Sequence, residues 1–308
     1  MSSGATATVA IDVDFAQQID LQASLAPLGR WGDDLLDRWD GEILVRTARL
    51  PAHGGVVAYA ARPAGDLGEP RLEVHIQAQA AEHVEEVASH VRQTLLADQA
   101  ALAELAAADK RVGRLRSLYP GVVPVLFADP LAALMRSISA QQVNLRWAAV
   151  VRRRLAERYG SRHAVGRWQA WSLEADSLAS ARIADLRSSI QLTTAKSKAV
   201  IGCARAQQAG ELEIGALRAI DDEQLIAHLT RLRGIGHWSA EWFLARTLGR
   251  PRVVAGDLGV RKAIGRLYAT DGLPTEKEVR RLTSHWGAAA THAQALALHD
   301  LAVAASGS

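Results

Sequence analysis

Two groups with chemical potential lie in one stretch, LTRLRGIGHWSAEWFLARTLGRPRVVAGDLGVRKAIGRLY, residues 229–268. The first is Gly234-Ile235-Gly236, between a helix that ends near Leu232 and another that starts at His237. Two glycines let the chain turn sharply while Ile235 fills the space between the helices. The amides of Gly234 and Gly236, with Ser239 in the first turn behind them, then point outward at a helix N-terminus, where a phosphate binds without regard to sequence. A Gly-x-Gly turn alone is common; LRGIGHWSA as a whole is far more specific. The second group is Asp257, directly before the helical run LGVRKAIGRLY. In isolation an Asp there is an N-cap. Amides at a helix start also hold a carboxylate ionised and oriented, and a fixed negative charge stabilises a cation that develops in a transition state. Between the two groups, Trp238 and Trp242 lie four residues apart and share a helix face. Most such pairs are core, but indole faces also attract cations and flat rings.

The elements that must hold these groups are mixed in kind. GEILVRTARL, GVVAYAARP and RLEVHIQAQ are short Val/Ile-rich runs separated by PAHGG and AGDLGEP, and AEHVEEVASHVRQTLLADQ follows with helical spacing. An α+β N-terminal domain, an antiparallel sheet with helices on one face, is expected over residues 1–110. From about residue 100 the β signal disappears, and amphipathic Ala/Leu/Arg-rich segments predict an all-α remainder over 111–308, with a helix–hairpin–helix at 225–248. Residues 1–110 carry 8 Lys+Arg against 17 Asp+Glu, net −9, and the rest carries 28 against 16, net +12. That split makes the second half a candidate partner for a polyanion, although helix faces also carry charge merely to stay solvated. The single cysteine, Cys203, excludes a disulfide framework and a four-cysteine iron–sulfur cluster. The first residues lack signal-peptide features and no apolar run reaches a membrane span, so a cytoplasmic protein with no membrane partner is expected. No metal-ligand spacing occurs among the ten histidines.

LRGIGHWSA followed by VVAGDLGVRKA resembles the helix–hairpin–helix plus Gly/Pro-Asp motif of a superfamily of base-excision DNA glycosylases. YPGVVPVLFADPLAALMRSISAQQVNLRWAA and LTTAKSKAVI are similar to its 3-methyladenine DNA glycosylase II branch. The likeness covers residues 113–268 well and the N-terminal part loosely, through DGEILVRTARLP. It implies an all-α helix–hairpin–helix glycosylase core behind the α+β domain, a duplex DNA partner carrying a damaged base, and a monomer.

The resemblance makes Asp257 the catalytic carboxylate, set against the oxocarbenium character that grows on the sugar as an N-glycosidic bond breaks. It turns Trp238 and Trp242 toward a pocket for a flipped, cationic alkylated purine such as 3-methyladenine or 7-methylguanine. In bifunctional relatives a lysine stands at the position of Trp238 and forms a Schiff base. Trp cannot, which implies hydrolysis with no lyase step. Gln142, in SAQQV, matches the side chain that enters the gap left by the flipped nucleotide; a polar residue within a helix–helix contact is the plainer reading. The carbonyls of Thr230, Leu232 and Ile235 match those holding a monovalent cation in relatives, and no other cofactor is implied. Two positions depart from the pattern. Leu258 stands where some members carry Tyr, and Leu298 where an aromatic wall is usual. A glycosylase specific for hypoxanthine or uracil, and a non-catalytic helix–hairpin–helix protein that binds DNA structure, are the competing readings.

Overall fold

A computed structural model describes residues 7–50, 55–78 and 81–306. The chain begins with β1 (Ala7–Asp14), α1 (Leu21–Gly29), β2 (Arg38–Trp39), β3 (Leu44–Leu50), β4 (Gly55–Gly65), β5 (Pro70–Ala78) and α2 (Ala81–Thr94). The strands form one antiparallel sheet in the order β1-β5-β4-β3-β2. Alternation along β5 buries Leu72, Val74 and Ile76, which join Tyr59 of β4 and Val87 and Val91 of α2 in the main core. This is the expected sheet with helices. Of the PAHGG turn, residues 51–54 lie outside the described residues, and Gly55 opens β4.

The second part runs α3 (Ala100–Ala108), α4 (Lys110–Leu118), α5 (Pro130–Ala140) and α6 (Leu145–Tyr159). It then makes a hairpin, β6 (Gly160–Val165) and β7 (Trp168–Leu173), before α7 (Ala175–Ala179), α8 (Ile183–Ser188), α9 (Thr194–Gln208), α10 (Ile214–Ala219), α11 (Asp222–Thr230) and α12 (His237–Arg246). The last elements are α13 (Leu258–Tyr268), α14 (Glu276–Leu282), a 3-10 turn (Ser284–Ala289) and α15 (Ala290–Ser306). Among the described residues, no helix is long and apolar enough to cross a membrane.

The hairpin at 160–173 departs from the expected all-helical second half. Val165 pairs with Trp168 across a two-residue loop whose Gly166 has φ +54, so the turn chemistry lies in the sequence, but the adjacent Arg162 and His163 mask the apolar period. Val165 and Ala170 pack on Ile43, Val45, Ala58 and Ala60, the outer face of the first sheet. The helical half therefore reaches back and covers the N-terminal layer.

Arginines do the same. Arg136 of α5 pairs with Asp34 at 2.8 Å and with Asp37 at 2.6 Å, and Arg152 of α6 pairs with Asp34 at 2.7 Å. Burial alone would raise the Asp34 carboxyl, but Arg136 and Arg152 outweigh it and lower it to about 2. Part of the charge split between the halves is thus consumed in joining them. The remaining helices form a second core around Ile264, Val279, Trp286 and Ala293. Trp242 is partly buried against both cores, so α12 lies at their junction.

Candidate active site

The helix–hairpin–helix consists of α11, the turn 231–236 and α12. Ile235 is 3 % exposed, as expected of the plug between the helices, and its N–H donates to the Leu232 carbonyl at 3.0 Å. The two glycines differ in their reasons. Gly234 has φ +84, and a Cβ there would stand 2.6 Å from that of Ala199 on α9, so both conformation and space demand glycine. Gly236 has φ −93 and ψ 179, which any residue adopts, and open space where its Cβ would lie. What it leaves clear is the approach to α12. Most neighbouring helices are capped by a side chain: Thr193 caps α9, Asp221 caps α11 and Asp257 caps α13. The N-cap of α12 is Gly236, with no side-chain bond, and the first amide bonded back into the helix is Ala240 N–H. The N–H groups of His237, Trp238 and Ser239 have no acceptor among the described residues. Three open amides at the positive end of a ten-residue helix make an anion site.

The part of Ser239 open to that site is its backbone N–H. Its side chain is buried, and its Oγ accepts from Gln141 Nε2 at 3.3 Å. The same Nε2 donates to the Gly234 carbonyl at 2.9 Å, and the Gln141 carbonyl accepts from Lys196 Nζ at 2.6 Å. The turn between α5 and α6 is thereby tied to the hairpin and to α9. At its tip, Gln142 is exposed with φ +55. It lies in no helix–helix contact, and the site offers its side chain free reach. Gln141 and Lys196, which fix this tip, have no side-chain signature that separates them from ordinary surface residues.

Asp257 follows the strap 247–256. Its Oδ1 accepts from Val260 N–H at 3.0 Å, so it caps α13, and it is neither buried nor fully exposed. Among the described residues no hydrogen bond reaches Oδ2, which leaves that oxygen for a reacting group. The strap is pinned from beneath. Glu241 of α12, 1 % exposed, pairs with Arg252 at 3.1 Å and with Arg280 of α14 at 3.0 Å, and Arg252 also pairs with Asp222 at 3.2 Å. Val254 N–H donates to Gln294 Oε1 at 2.7 Å, and Asp257 N–H to the Val254 carbonyl at 2.9 Å. Position and orientation of the carboxylate are set before any ligand arrives.

Trp238 and Trp242 are both half-buried on one face of α12. Trp238 Cδ1 lies 3.7 Å from where a Gly256 Cβ would be, which places that indole against the residue before Asp257. Trp242 stacks on Phe127, with centroids 5.4 Å apart and planes at 21°. Arg136 covers Phe127 at 4.3 Å. Phe127, in the segment before α5, was not singled out in the sequence, where one Phe among apolar residues reads as core. Leu258 is 54 % exposed beside Asp257, and Leu298 Cδ2 stands 3.6 Å from the Gly259 Cβ position. Both leucines border the carboxylate. Trp286 is 2 % exposed and donates to Tyr268 Oη at 3.0 Å, a core role. Thr230 turns its hydroxyl back to the Ile226 carbonyl at 2.7 Å; its own carbonyl ends α11, and those of Leu232 and Ile235 belong to the turn.

The geometry is shared with known proteins. Over 94 % of this chain and 97 % of the other, the fold is similar to the 3-methyladenine DNA glycosylase of Archaeoglobus fulgidus, with TM-score 0.79 and 20 % identity. YfjP of Bacillus subtilis strain 168, provisionally named a DNA-3-methyladenine glycosylase, is 25 % identical over 248 residues, 80 % of this chain and 79 % of its own. A DNA-3-methyladenine glycosylase of the same organism is 27 % identical over 185 residues, 59 % of this chain and 61 % of its own. The profile described as HhH-GPD superfamily base excision DNA repair protein matches residues 135–288, which contain the hairpin, the open α12 amides and Asp257. The chain therefore belongs to the HhH-GPD superfamily of base excision DNA repair proteins.

Proposed function

We propose that this DNA glycosylase is monofunctional and hydrolyses the N-glycosidic bond of alkylated purines, 3-methyladenine and 7-methylguanine, in duplex DNA. The observation that carries the reading is Asp257, held by the Val260 amide with one oxygen free, beside the Trp238 face and behind the anion-binding end of α12. The duplex binds through phosphates at the α12 amides, and Gln142 enters the stack as the damaged nucleotide leaves it. The base stacks on the indoles, whose π faces attract the positive charge that alkylation places on the ring. That charge makes the base a good leaving group, so no dedicated proton donor is required. The Asp257 carboxylate then stabilises the positive charge growing on the sugar as the C–N bond lengthens, and water takes the sugar carbon.

Trp238 supports the monofunctional assignment, because an indole nitrogen cannot form the Schiff base that a lyase step requires. The names of the Bacillus relatives support alkylated bases as substrates. The carbonyls of Thr230, Leu232 and Ile235 are neutral, hard oxygen donors on one tight turn, a set that fits a monovalent cation, which would brace the hairpin. The enzyme acts as a cytoplasmic monomer. The test is to incubate the protein with methylated duplex DNA, identify the free bases released, and add borohydride in parallel. Release of methylated purines, no trapped adduct, and strands cut only after alkali are expected. A borohydride adduct overturns the monofunctional assignment; release of hypoxanthine or uracil in preference overturns the substrate class.

A further inference from the structure

The Trp238–Trp242 stripe continues one turn further to Arg246, so residues i, i+4 and i+8 share one face of α12. Helical side chains lean toward the N-terminus, which directs the Arg246 side chain back over Trp242. Its guanidinium lies 5.4 Å from the Phe127 centroid, on the ring that stacks against Trp242. The backbone is fixed there as well, since the Arg246 carbonyl accepts from Phe127 N–H at 2.8 Å. Burial draws its pKa down to about 10; Arg136 and Arg46 act in the same direction, and the Asp257 charge opposes them. Arg246 is therefore charged at neutral pH, half-buried, and near enough to Asp257 for the carboxylate to act on it.

A guanidinium offers five N–H donors and no acceptor, and within a fold these are mostly paired. Its neighbours obey this rule: Arg46 pairs with Asp37, Arg136 with Asp34 and Asp37, and Arg152 with Asp34. For Arg246, by contrast, no carboxylate, carbonyl or hydroxyl partner occurs among the described residues; its contact is the Phe127 ring. A half-buried donor array with no protein partner, beside the aromatic face, is open to an acceptor from outside the chain. We propose that Arg246 is a specificity-determining residue that donates to a carbonyl oxygen on the flipped base, favouring purines with O6, such as 7-methylguanine, over 3-methyladenine. The inference rests on the alkylated-base reading above. Both methylated rings are cationic and repelled alike by the guanidinium. Only 7-methylguanine offsets this with an O6 acceptor where adenine carries an amino donor, the same distinction by which Arg reads guanine in a duplex.

The experiment uses duplex DNA methylated to contain both bases and follows the release of each by wild type, R246M and R246K. R246M is expected to lower the ratio of 7-methylguanine to 3-methyladenine release about tenfold, the worth of one hydrogen bond to a charged donor. R246K keeps the charge and a donor but loses the planar fork, and the ratio should fall by a smaller factor. If melting shows R246M unfolded, the R246K ratio decides. An unmoved ratio, or both rates falling in proportion, overturns the role of Arg246 while leaving the glycosylase reading intact. A wild type that releases neither base overturns that reading, and this inference with it.

Discussion

The N-cap at Asp257 and the catalytic role proposed for it can be separated by one substitution. Asp257→Asn keeps an oxygen for the Val260 amide, now 3.0 Å from Oδ1, and Asn caps helices as well as Asp does. The fold should lose no more than a few tenths of a kcal/mol. The charge is lost entirely. A carboxylate about 5 Å from a developing cation, at an effective dielectric near 20, contributes about 3 kcal/mol, which corresponds to a rate loss of about a hundredfold or more. Asp257→Ala removes both functions: it should match the rate loss of the Asn variant and also lower stability by about 1 kcal/mol, or about 2–4 °C in Tm. DNA affinity should not fall in either case, because the phosphate-binding amides of α12 are untouched and the positive charge of Arg246 loses its counterweight. Single-turnover release of methylated bases, melting curves and DNA titrations read the three quantities separately. An Asn variant that melts like the Ala variant, or that keeps the wild-type rate, would refute the reasoning and leave Asp257 a cap alone.

The other tests address the hairpin, the acid limit and the pocket wall. Gly236→Val, in open space with ordinary φ, should leave Tm unchanged yet weaken binding to every DNA sequence alike, whereas Gly234→Val should lower Tm through its φ of +84 and the Ala199 contact. Binding itself should weaken linearly in log K against log salt; a sequence-dependent loss in Gly236→Val would contradict a phosphate site. His90 is buried and held down to about 4, first by burial and then by Arg46, so the native state resists its protonation. Its contribution to stability is therefore present above pH 6.5 and lost as pH falls toward 4, and His90→Gln should flatten that part of a stability–pH curve. Asp34, lowered to about 2, adds a separate loss of about 2 kcal/mol between pH 4 and 2. Leu298→Trp, adjoining Gly259, should raise release of methylated bases by adding a stacking surface of about 1–3 kcal/mol; an unchanged rate would place the wall elsewhere.

The sequence announces the parts of this site that depend on local chain chemistry. The Gly234 turn, the plug at Ile235 and the cap at Asp257 are dictated by neighbours within a few residues, and all three stand where LRGIGHWSA and VVAGDLGVRKA put them. What the sequence conceals is assembled from distant segments. Phe127 reaches Trp242 across more than a hundred residues, and Arg246 is distinguished from a surface arginine only by the ring and charges around it. The inward turn of Ser239 depends likewise on Gln141, about a hundred positions earlier. The β6–β7 hairpin was hidden because polar residues fall on both faces: His163 shares the side of Val165 and Ala170 that packs on the sheet, Arg162 takes the other, and neither gives a clean alternation.

That hairpin has a bearing on how the chain is made. The sheet that opens the sequence cannot close its outer face until residues 160–173 have emerged from the ribosome, well after the first hundred have appeared. Until then Ile43, Val45, Ala58 and Ala60 face water, and Asp34 waits for Arg136 and Arg152 while Asp37 has Arg46 alone. A nascent fragment ending near residue 110 would thus carry an uncovered apolar patch on a segment of net charge −9, and repulsion between copies keeps the patch from gathering with others of its kind. The acidity of the early segment doubles as protection during synthesis, and it is neutralised when the arginine-bearing helices arrive.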